Sequence, residues 1–241
     1  MKNKRFWEID FLRGVAIVLM ILFHTVWALN KFDLIYLNQK TLFWQILQYF
    51  TASTFILLVG ISLTLSFSRV KNKNLSFLLK KYFKRGLQIF ALGLIVTLAS
   101  YLFMPEGTIY FGILHFIGLS IILAFPFLRF KDLNLALGTL FLLVGLAIKN
   151  ISISTPWLIW LGLKFRGFYT IDYFPLFPWF GLVLIGIFLG NSFYTNHTRN
   201  FKMIEKPNPT NLFCWLGKHS LKIYFLHAIL IYSLIQLVKI F

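Results

Sequence analysis

The sequence predicts an all-α fold: a polytopic transmembrane helix bundle of about seven spans, with its N-terminus in the cytoplasm. Three observations support this fold class. Hydrophobic residues make up 59% of the 241, and the mean hydropathy is +0.77, far above that of a soluble domain. The apolar residues form runs that approach or exceed the roughly 20 residues a helix needs to cross a bilayer. The basic residues cluster between these runs and favour one side of the membrane.

The predicted spans lie at about residues 11–29, 46–67, 86–104, 109–128, 133–149, 177–194 and 220–239. When each Lys and Arg is assigned to the nearer side, eighteen fall on the side of the N-terminus and six on the other. Cytoplasmic loops are enriched in basic residues, so the N-terminus is expected inside and the C-terminus outside. Residues 1–241 are therefore expected to form a single domain of a multi-pass cell-membrane protein that contacts membrane lipids.

Composition excludes several classes of function. The net charge of +17 does not indicate nucleic-acid binding, because topology already explains basic residues in short segments between spans. The single cysteine, Cys214, excludes an internal disulfide and a multi-cysteine metal site, and no metal is expected. The sequence contains no P-loop, dinucleotide-binding glycine motif, metalloprotease helix or nucleophile elbow. The oligomeric state is left open, with a homo-oligomer among the alternatives.

The first span contains two strongly polar side chains, Arg13 and His24. They are eleven residues apart, or about three helical turns, so we expect them on one helix face, about 16 Å apart along the axis. Polar groups are costly in hydrocarbon, so this face should look into protein or a wet cavity. Arg13 suits a phosphate or a carboxylate, and the alternative is a local ion pair with Asp10. His24, expected in the outer half of the membrane, is a candidate for proton transfer.

Two more histidines lie in predicted spans. His115 is about six residues from the outer start of the fourth span, at a depth expected to resemble that of His24. His227 is about seven residues from the cytoplasmic start of the last span, so we expect it nearer the inner half. For a lone buried histidine, an interhelical hydrogen bond is the simpler interpretation.

The inner segments carry most of the basic residues. Segment 69–85 mixes seven of them with apolar side chains, which favours contact with anionic lipid headgroups. Binding of a phosphorylated ligand by cations such as Lys84 and Arg85 is the alternative. Residues 195–218 are predicted to form a polar inner linker that ends at Lys218. In the second span, Gly60 and Thr64 form a small-xxx-small pair, which predicts close helix packing.

The outer segment 150–176 is rich in aromatic residues and interrupted by prolines, as in an interfacial aromatic belt. Two interpretations are equally good: a rigid turn at the membrane surface, or the cap of an outward-facing pocket that offers Asp172. The outer acidic residues that can orient an imidazole are Asp33, Glu106 and Asp172. The sequence does not choose among these three.

Five stretches together resemble a known family. They are residues 9–17 with His24, 55–62, 111–115, 172–179 and 215–227, and they are spread over nearly the whole chain. In this order they resemble integral-membrane acyltransferases, especially the prokaryotic relatives of heparan-α-glucosaminide N-acetyltransferase. Arg13 and His24, with ten residues between them, also resemble the signature of the wider family that acylates cell-surface polysaccharides. The human-type enzyme differs, with asparagine at the position of His24 and its essential histidine in the following loop.

The resemblance implies an acyltransferase that uses cytoplasmic acetyl-CoA and an outward-facing hydroxyl or amine of a glycan or lipid-linked sugar. Under this hypothesis His24 is the catalytic base, and His115 and Asp172 complete the catalytic group. The donor phosphates would be held by the inner cations Arg13, Lys84, Arg85 and Lys218. Asp10 and His227 would be supporting residues of the site.

Two other functions are open. A small transporter or flippase would use its intramembrane histidines and Arg13 to line a proton or anion path. A non-catalytic membrane scaffold would need none of these side chains. Consumption of acyl-CoA separates the enzyme from both alternatives.

Overall fold

The computed structural model describes residues 5–195 and 198–240, with residues 238–240 described by their backbone alone. Within them the chain forms α1 (Trp7–Lys31), α2 (Leu42–Ser68), α3 (Leu75–Phe103), α4 (Ile113–Ala124), α5 (Asp132–Ile148), α6 (Leu176–Phe193), α7 (Asn211–Lys218) and α8 (Ser220–Ile240). The strands are two residues long: β1 (Ser152–Ile153) pairs in parallel with β2 (Lys164–Phe165), and β3 (Tyr194–Thr195) pairs antiparallel with β4 (Thr198–Arg199). The predominance of helix confirms the predicted class.

Every predicted span coincides with a helix. Five are long and apolar enough to cross a membrane, namely α1, α2, α3, α6 and residues Ser220–Leu237 of α8. The other two are shorter: α4, which a 3-10 turn (Phe125–Arg129) extends, and α5. The structure therefore supports five membrane-spanning helices by length and composition, while seven crossings and a cytoplasmic N-terminus stay predictions.

The chain divides into two compact units. The first comprises Met1–Phe55 and Met203–Phe241, and the second comprises Ile56–Lys202. Helix α2 begins in the first unit and ends in the second. The single domain predicted for residues 1–241 stays a prediction.

In the first unit, α1 packs against α7 and α8. The backbones of α1 and α7 touch where they cross, because a Cβ added at Gly14 would collide with the carbonyl of Phe213, and one at Gly217 with the carbonyl of Asp10. Cys214 is buried in the same contact. The prediction of a polar linker over residues 195–218 is thus wrong for its last third, because those residues form α7, which packs against α1.

The second unit has a hydrophobic core built by the later part of α2 together with α3, α4 and α6. The close packing predicted around Gly60 and Thr64 is confirmed. A Cβ at Gly60 would collide with the carbonyl of Val183, and the Thr64 hydroxyl lies 3.4 Å from the carbonyl oxygen of Ile187. Small residues let two backbones approach closely, which aligns α2 with α6.

The basic segment 69–85 is largely the start of α3. Asn74 caps this helix, accepting a hydrogen bond on Oδ1 from the Phe77 backbone N–H at 3.0 Å. Helix α3 therefore begins eleven residues before residue 86, where the span was predicted to start. The basic residues from Lys80 to Arg85 belong to the first turns of this helix and not to a separate loop.

Candidate functional site

Helix α1 presents Arg13 and His24 on one face, as predicted. The positions 13, 17, 20 and 24 follow helical spacing, and Ile17 and Met20 between them are buried. Both polar side chains are half-buried, whereas Leu12, Val18 and Leu22 form an exposed stripe on another face. The face with the polar groups therefore turns toward protein rather than toward the exposed surface.

His24 contacts His227 in the first unit, with ring centres 4.9 Å apart. His24 donates Nδ1–H to the carbonyl of Met20 at 2.9 Å, and His227 donates Nδ1–H to the carbonyl of Tyr224. Within the described residues, His24 Nε2 has no hydrogen-bond partner. A neutral His24 with its proton on Nδ1 therefore keeps a lone pair on Nε2, the atom that a general base uses.

The ring contact corrects the predicted depth of His227 relative to His24. His24 was expected in the outer half and His227 nearer the inner half, but rings in contact lie at one level. Phe32 and Tyr232 also meet, with ring centres 5.9 Å apart, so α1 and α8 run in the same direction. The error arises because α7 lies beside the first turns of α1. Along the direction in which both helices run, α8 therefore begins about ten residues, or roughly 15 Å, further on than α1 does.

Arg13 forms the predicted local ion pair, with Nη1 lying 3.4 Å from Asp10 Oδ1. Asp10 is 4% exposed, and its other oxygen, Oδ2, has no hydrogen-bond partner in the part of the chain that the structure describes. Lys218 follows Gly217, which contacts the backbone of Asp10, and its side chain is exposed. The crossing of α1 and α7 thus places Arg13 and Lys218 on adjoining segments.

Lys84 and Arg85 lie in the second unit, on α3, with exposed side chains. Their neighbour Lys81 is engaged, because it donates to Ser66 Oγ at 3.1 Å and lies 5.3 Å from the centre of the Tyr82 ring. Lys84 and Arg85 carry the charge that a phosphate requires, and their predicted role in donor binding stays a prediction.

Both ring nitrogens of His115 are engaged. Nδ1 accepts from the Gly112 N–H at 3.3 Å, and Nε2 lies 3.2 Å from Thr97 Oγ1. The Thr97 hydroxyl donates to the carbonyl of Ile109 at 2.6 Å, so its oxygen accepts from Nε2–H. The ring is 2% exposed, and these bonds tie the start of α4 to α3. The catalytic part predicted for His115 stays a prediction and requires release of Nε2–H from Thr97.

Asp172 caps α4, accepting on Oδ2 from the Ile113 N–H at 3.0 Å. Burial of the carboxyl raises the pKa of Asp172 to about 6, although the bond from Ile113 opposes this shift. Asp172 and His115 therefore hold the same helix start, and neither accepts from nor donates to the other among the described hydrogen bonds. A catalytic part for Asp172 stays a prediction.

An apolar pocket of about 570 Å³ lies in the second unit. Its lining residues are Phe90, Phe111, Leu119, Pro156, Trp157, Ile159 and Trp160. Phe90 and Phe111 also enclose the imidazole of His115, with ring centres 5.2 and 5.8 Å from it. The sequence indicated this pocket only as one of two interpretations of segment 150–176.

The structure thus brings together some predicted site residues within each unit. In the first unit His24 meets His227, and Arg13 meets Asp10 beside the segment of Lys218. In the second unit His115 and Asp172 share the start of α4. No group of three or more His, Cys, Asp or Glu side chains is arranged for a metal ion among the residues described.

The family model for "Heparan-alpha-glucosaminide N-acetyltransferase, catalytic" matches residues 5–229 of this chain. No curated protein and no solved structure matches it. The matched range contains every site residue predicted from the sequence.

Proposed function

We infer the function from the family to which this chain belongs, that of the heparan-alpha-glucosaminide N-acetyltransferase catalytic domain. Membership indicates a membrane-bound acyltransferase. We propose that the protein moves an acyl group, most simply acetyl, from cytoplasmic acyl-CoA to an outward-facing hydroxyl or amine. The acceptor class is a glycan or a lipid-linked sugar.

The observation that carries this proposal is the state of His24. Its Nδ1–H is committed to the carbonyl of Met20, which holds the ring and leaves Nε2 as the basic atom. The ring is half-buried on the inward face of α1 and contacts His227. An imidazole fixed in this tautomer on a transmembrane helix is suited to accept a proton from an acceptor group.

The proposed reaction is a direct transfer. His24 Nε2 removes the proton of the acceptor O–H or N–H while that oxygen or nitrogen forms a bond to the thioester carbonyl carbon. The carbon–sulfur bond then breaks, and the proton on His24 passes to the departing thiolate. The products are the acylated acceptor and free coenzyme A, so the histidine returns to its neutral form.

Donor binding is proposed for the inner cations. In the first unit Arg13 and Lys218 lie on adjoining segments, and a guanidinium with an ammonium suits a nucleotide diphosphate. Asp10 holds one edge of Arg13 and so orients the guanidinium. Lys84 and Arg85 of the second unit are proposed as further phosphate contacts, since both are exposed on α3.

The test is acyl transfer by the purified protein in liposomes supplied with labelled acetyl-CoA. His24→Gln should lower kcat by about 10²–10⁴-fold, the usual contribution of a general base. His219→Gln is the matched control, because His219 also donates Nδ1–H to a carbonyl one turn earlier, at 2.9 Å from Trp215 O. The control variant should keep its activity.

Two outcomes would contradict the proposal. Full activity of His24→Gln would remove this residue from the chemical step. Movement of a solute across the liposome membrane without consumption of acetyl-CoA would favour a transporter.

A further inference from the structure

The apolar pocket of the second unit has a lining that suits a hydrocarbon chain better than a sugar. All seven lining residues are aromatic, aliphatic or proline. A sugar ring needs several hydrogen-bond partners, and these side chains offer only the indole N–H donors of Trp157 and Trp160, whereas a hydrocarbon chain gains free energy from every methylene removed from water. Its volume, about 570 Å³, lies within the range of small-molecule sites.

The walls of the pocket are fixed by hydrogen bonds. The Tyr173 hydroxyl donates to the carbonyl of Ile159 at 2.7 Å, and burial raises the pKa of Tyr173 to about 12, so the hydroxyl stays a donor. Phe174 N–H donates to the carbonyl of Phe111 at 3.0 Å. One segment, Tyr173 with Phe174, therefore holds the walls at Ile159 and Phe111.

The ammonium group of Lys164 lies near the pocket wall at Ile159, with the Tyr173 ring between them. Lys164 Nζ is 5.1 Å from the centre of the Tyr173 ring, whose hydroxyl bonds Ile159. Arg166 is also exposed in the same outer segment, whose only acidic residue in sequence is Asp172. Asp172 is itself occupied by the Ile113 N–H. The surroundings of the pocket thus favour an anionic group attached to the hydrocarbon.

We propose that this pocket binds the hydrocarbon anchor of a lipid phosphate that carries the acceptor sugar. The proposal rests on the proposed acyl transfer and narrows the acceptor from a glycan or lipid-linked sugar to the lipid-linked class. The chain of the lipid lies against Ile159 and Trp157, and Lys164 attracts its phosphate. Phe90 and Phe111 connect the pocket to His115 at the start of α4.

The test combines photo-crosslinking with kinetics on the full-length protein in liposomes. The probes are a photoactivatable polyisoprenyl phosphate and a photoactivatable phosphatidylglycerol, and labelled peptides are located by mass spectrometry. We expect the polyisoprenyl phosphate to label residues 156–161 and to be displaced by the unlabelled lipid. Ile159→Trp, which fills the pocket, should reduce labelling by about tenfold, as should Trp157→Ala, which removes a wall.

Charge and kinetics supply independent readouts. Lys164→Gln should weaken labelling by about fivefold. Ile159→Trp should raise KM for a polyisoprenyl-phosphate sugar and leave KM for acetyl-CoA unchanged. The controls are Leu98→Trp, at an exposed position of α3, and Lys149→Gln, and both should behave as the parent protein.

Three results would overturn the assignment. Equal labelling by phosphatidylglycerol would make the pocket a site for bulk anionic lipid. Equal transfer to the free sugar and to its lipid-linked form would remove the lipid anchor from acceptor recognition. Unchanged labelling in both Ile159→Trp and Trp157→Ala would exclude the pocket. If labelling is selective but the parent protein transfers no acyl group, the proposed acyl transfer fails and the lipid-phosphate site stands.

Discussion

The imidazoles of His24 and His227 are in contact, and each donates Nδ1–H to a carbonyl of its own helix. Periodicity placed His24 on the polar face of α1 correctly, because spacing fixes the face of a helix. It did not identify the ring opposite, since the neighbour of a helix depends on tertiary packing. His227 therefore supports His24 by position, as a ring wall that restricts the orientation of the basic Nε2.

Removal of the His227 ring should impair the proton transfer that we propose for His24. We expect His227→Ala to lower kcat by about tenfold, because a displaced base loses alignment, and to leave KM for acetyl-CoA unchanged. Added imidazole and added pyrrole, a ring of the same size without a basic nitrogen, should both restore activity in this variant, because the His227 ring acts by its position. His219→Ala serves as the control. An unchanged kcat in His227→Ala would leave the ring contact without a catalytic effect.

The carboxyl of Asp172 makes stability depend on pH. Its pKa is about 6 in the folded protein against an ordinary value of 3.8, so between these values the folded state binds more protons than the unfolded state. The free energy of unfolding should therefore fall as pH rises through this window, by at most about 3 kcal/mol from this group. Asp172→Asn can still accept from the Ile113 N–H and should lose this dependence.

Thermal unfolding in detergent at pH 4 and pH 7.5 measures the effect. At pH 7.5 Asp172→Asn should melt at a higher temperature than the parent protein, and at pH 4 the two should agree. Asp33→Asn is the control, since Asp33 is exposed outside the second unit. A variant that melts lower at both pH values would show that the carboxylate stabilises α4 more than its burial costs.

Helix α7 is the element that sequence reasoning missed. The stretch before it contains Pro207 and Pro209, which are typical of a loop, and α7 has only eight residues, too few for a clear apolar period. Its position depends on Gly14 and Gly217, where the backbones of α1 and α7 touch. The long apolar helices were predictable because each contains a long apolar run in the sequence. The position of α7 depends instead on its packing against α1, which the local sequence does not reveal.

Adding one methyl group at this crossing should destabilise the first unit. Gly217→Ala would press its Cβ against the carbonyl of Asp10, and Gly14→Ala would press its Cβ against that of Phe213, where backbone cannot yield easily. We expect each to lower the free energy of unfolding by about 1–3 kcal/mol. Leu212→Ala, on the exposed side of α7, is the control and should melt close to the parent protein. An unaltered melting temperature in both glycine variants would contradict the close crossing.

At the scale of the whole molecule, the sequence predicted the helical class and the positions of the apolar helices, because hydropathy is strong along a membrane protein. It did not predict the division into two units, since contact between distant segments leaves no local pattern. The predicted site residues accordingly fall in both units: His24, His227, Arg13 and Lys218 in the first, and His115, Asp172, Lys84 and Arg85 in the second. Family membership extends over both units and is independent of this division.

The number of membrane crossings depends on whether α4 and α5 cross, because these two helices are shorter than the other apolar helices. Helix α4 with its 3-10 extension reaches about 28 Å, and α5 about 26 Å, close to the hydrocarbon thickness of about 30 Å. Both helices can therefore cross, and the connection between them contains Arg129 and Lys131, as expected of a cytoplasmic turn. If only the five long helices crossed, this connection would not reach the cytoplasm, whereas the sides of all other loops would be unchanged.

Lys131 thus distinguishes seven crossings from five. In a Cys214→Ser background, Lys131→Cys in intact cells should resist a membrane-impermeant thiol reagent and react only after the cytoplasmic side is opened. Tyr169→Cys, in the outer segment, should react in intact cells, and Lys73→Cys should match Lys131→Cys, because all three side chains are exposed. Labelling of Lys131→Cys from outside together with protection of Lys73→Cys would reduce the crossings to five. Reversal of the Tyr169→Cys and Lys73→Cys results would place the N-terminus outside the cell. Arg13 and Lys218 would then also lie on the outer side, where they could not bind a cytoplasmic acyl donor.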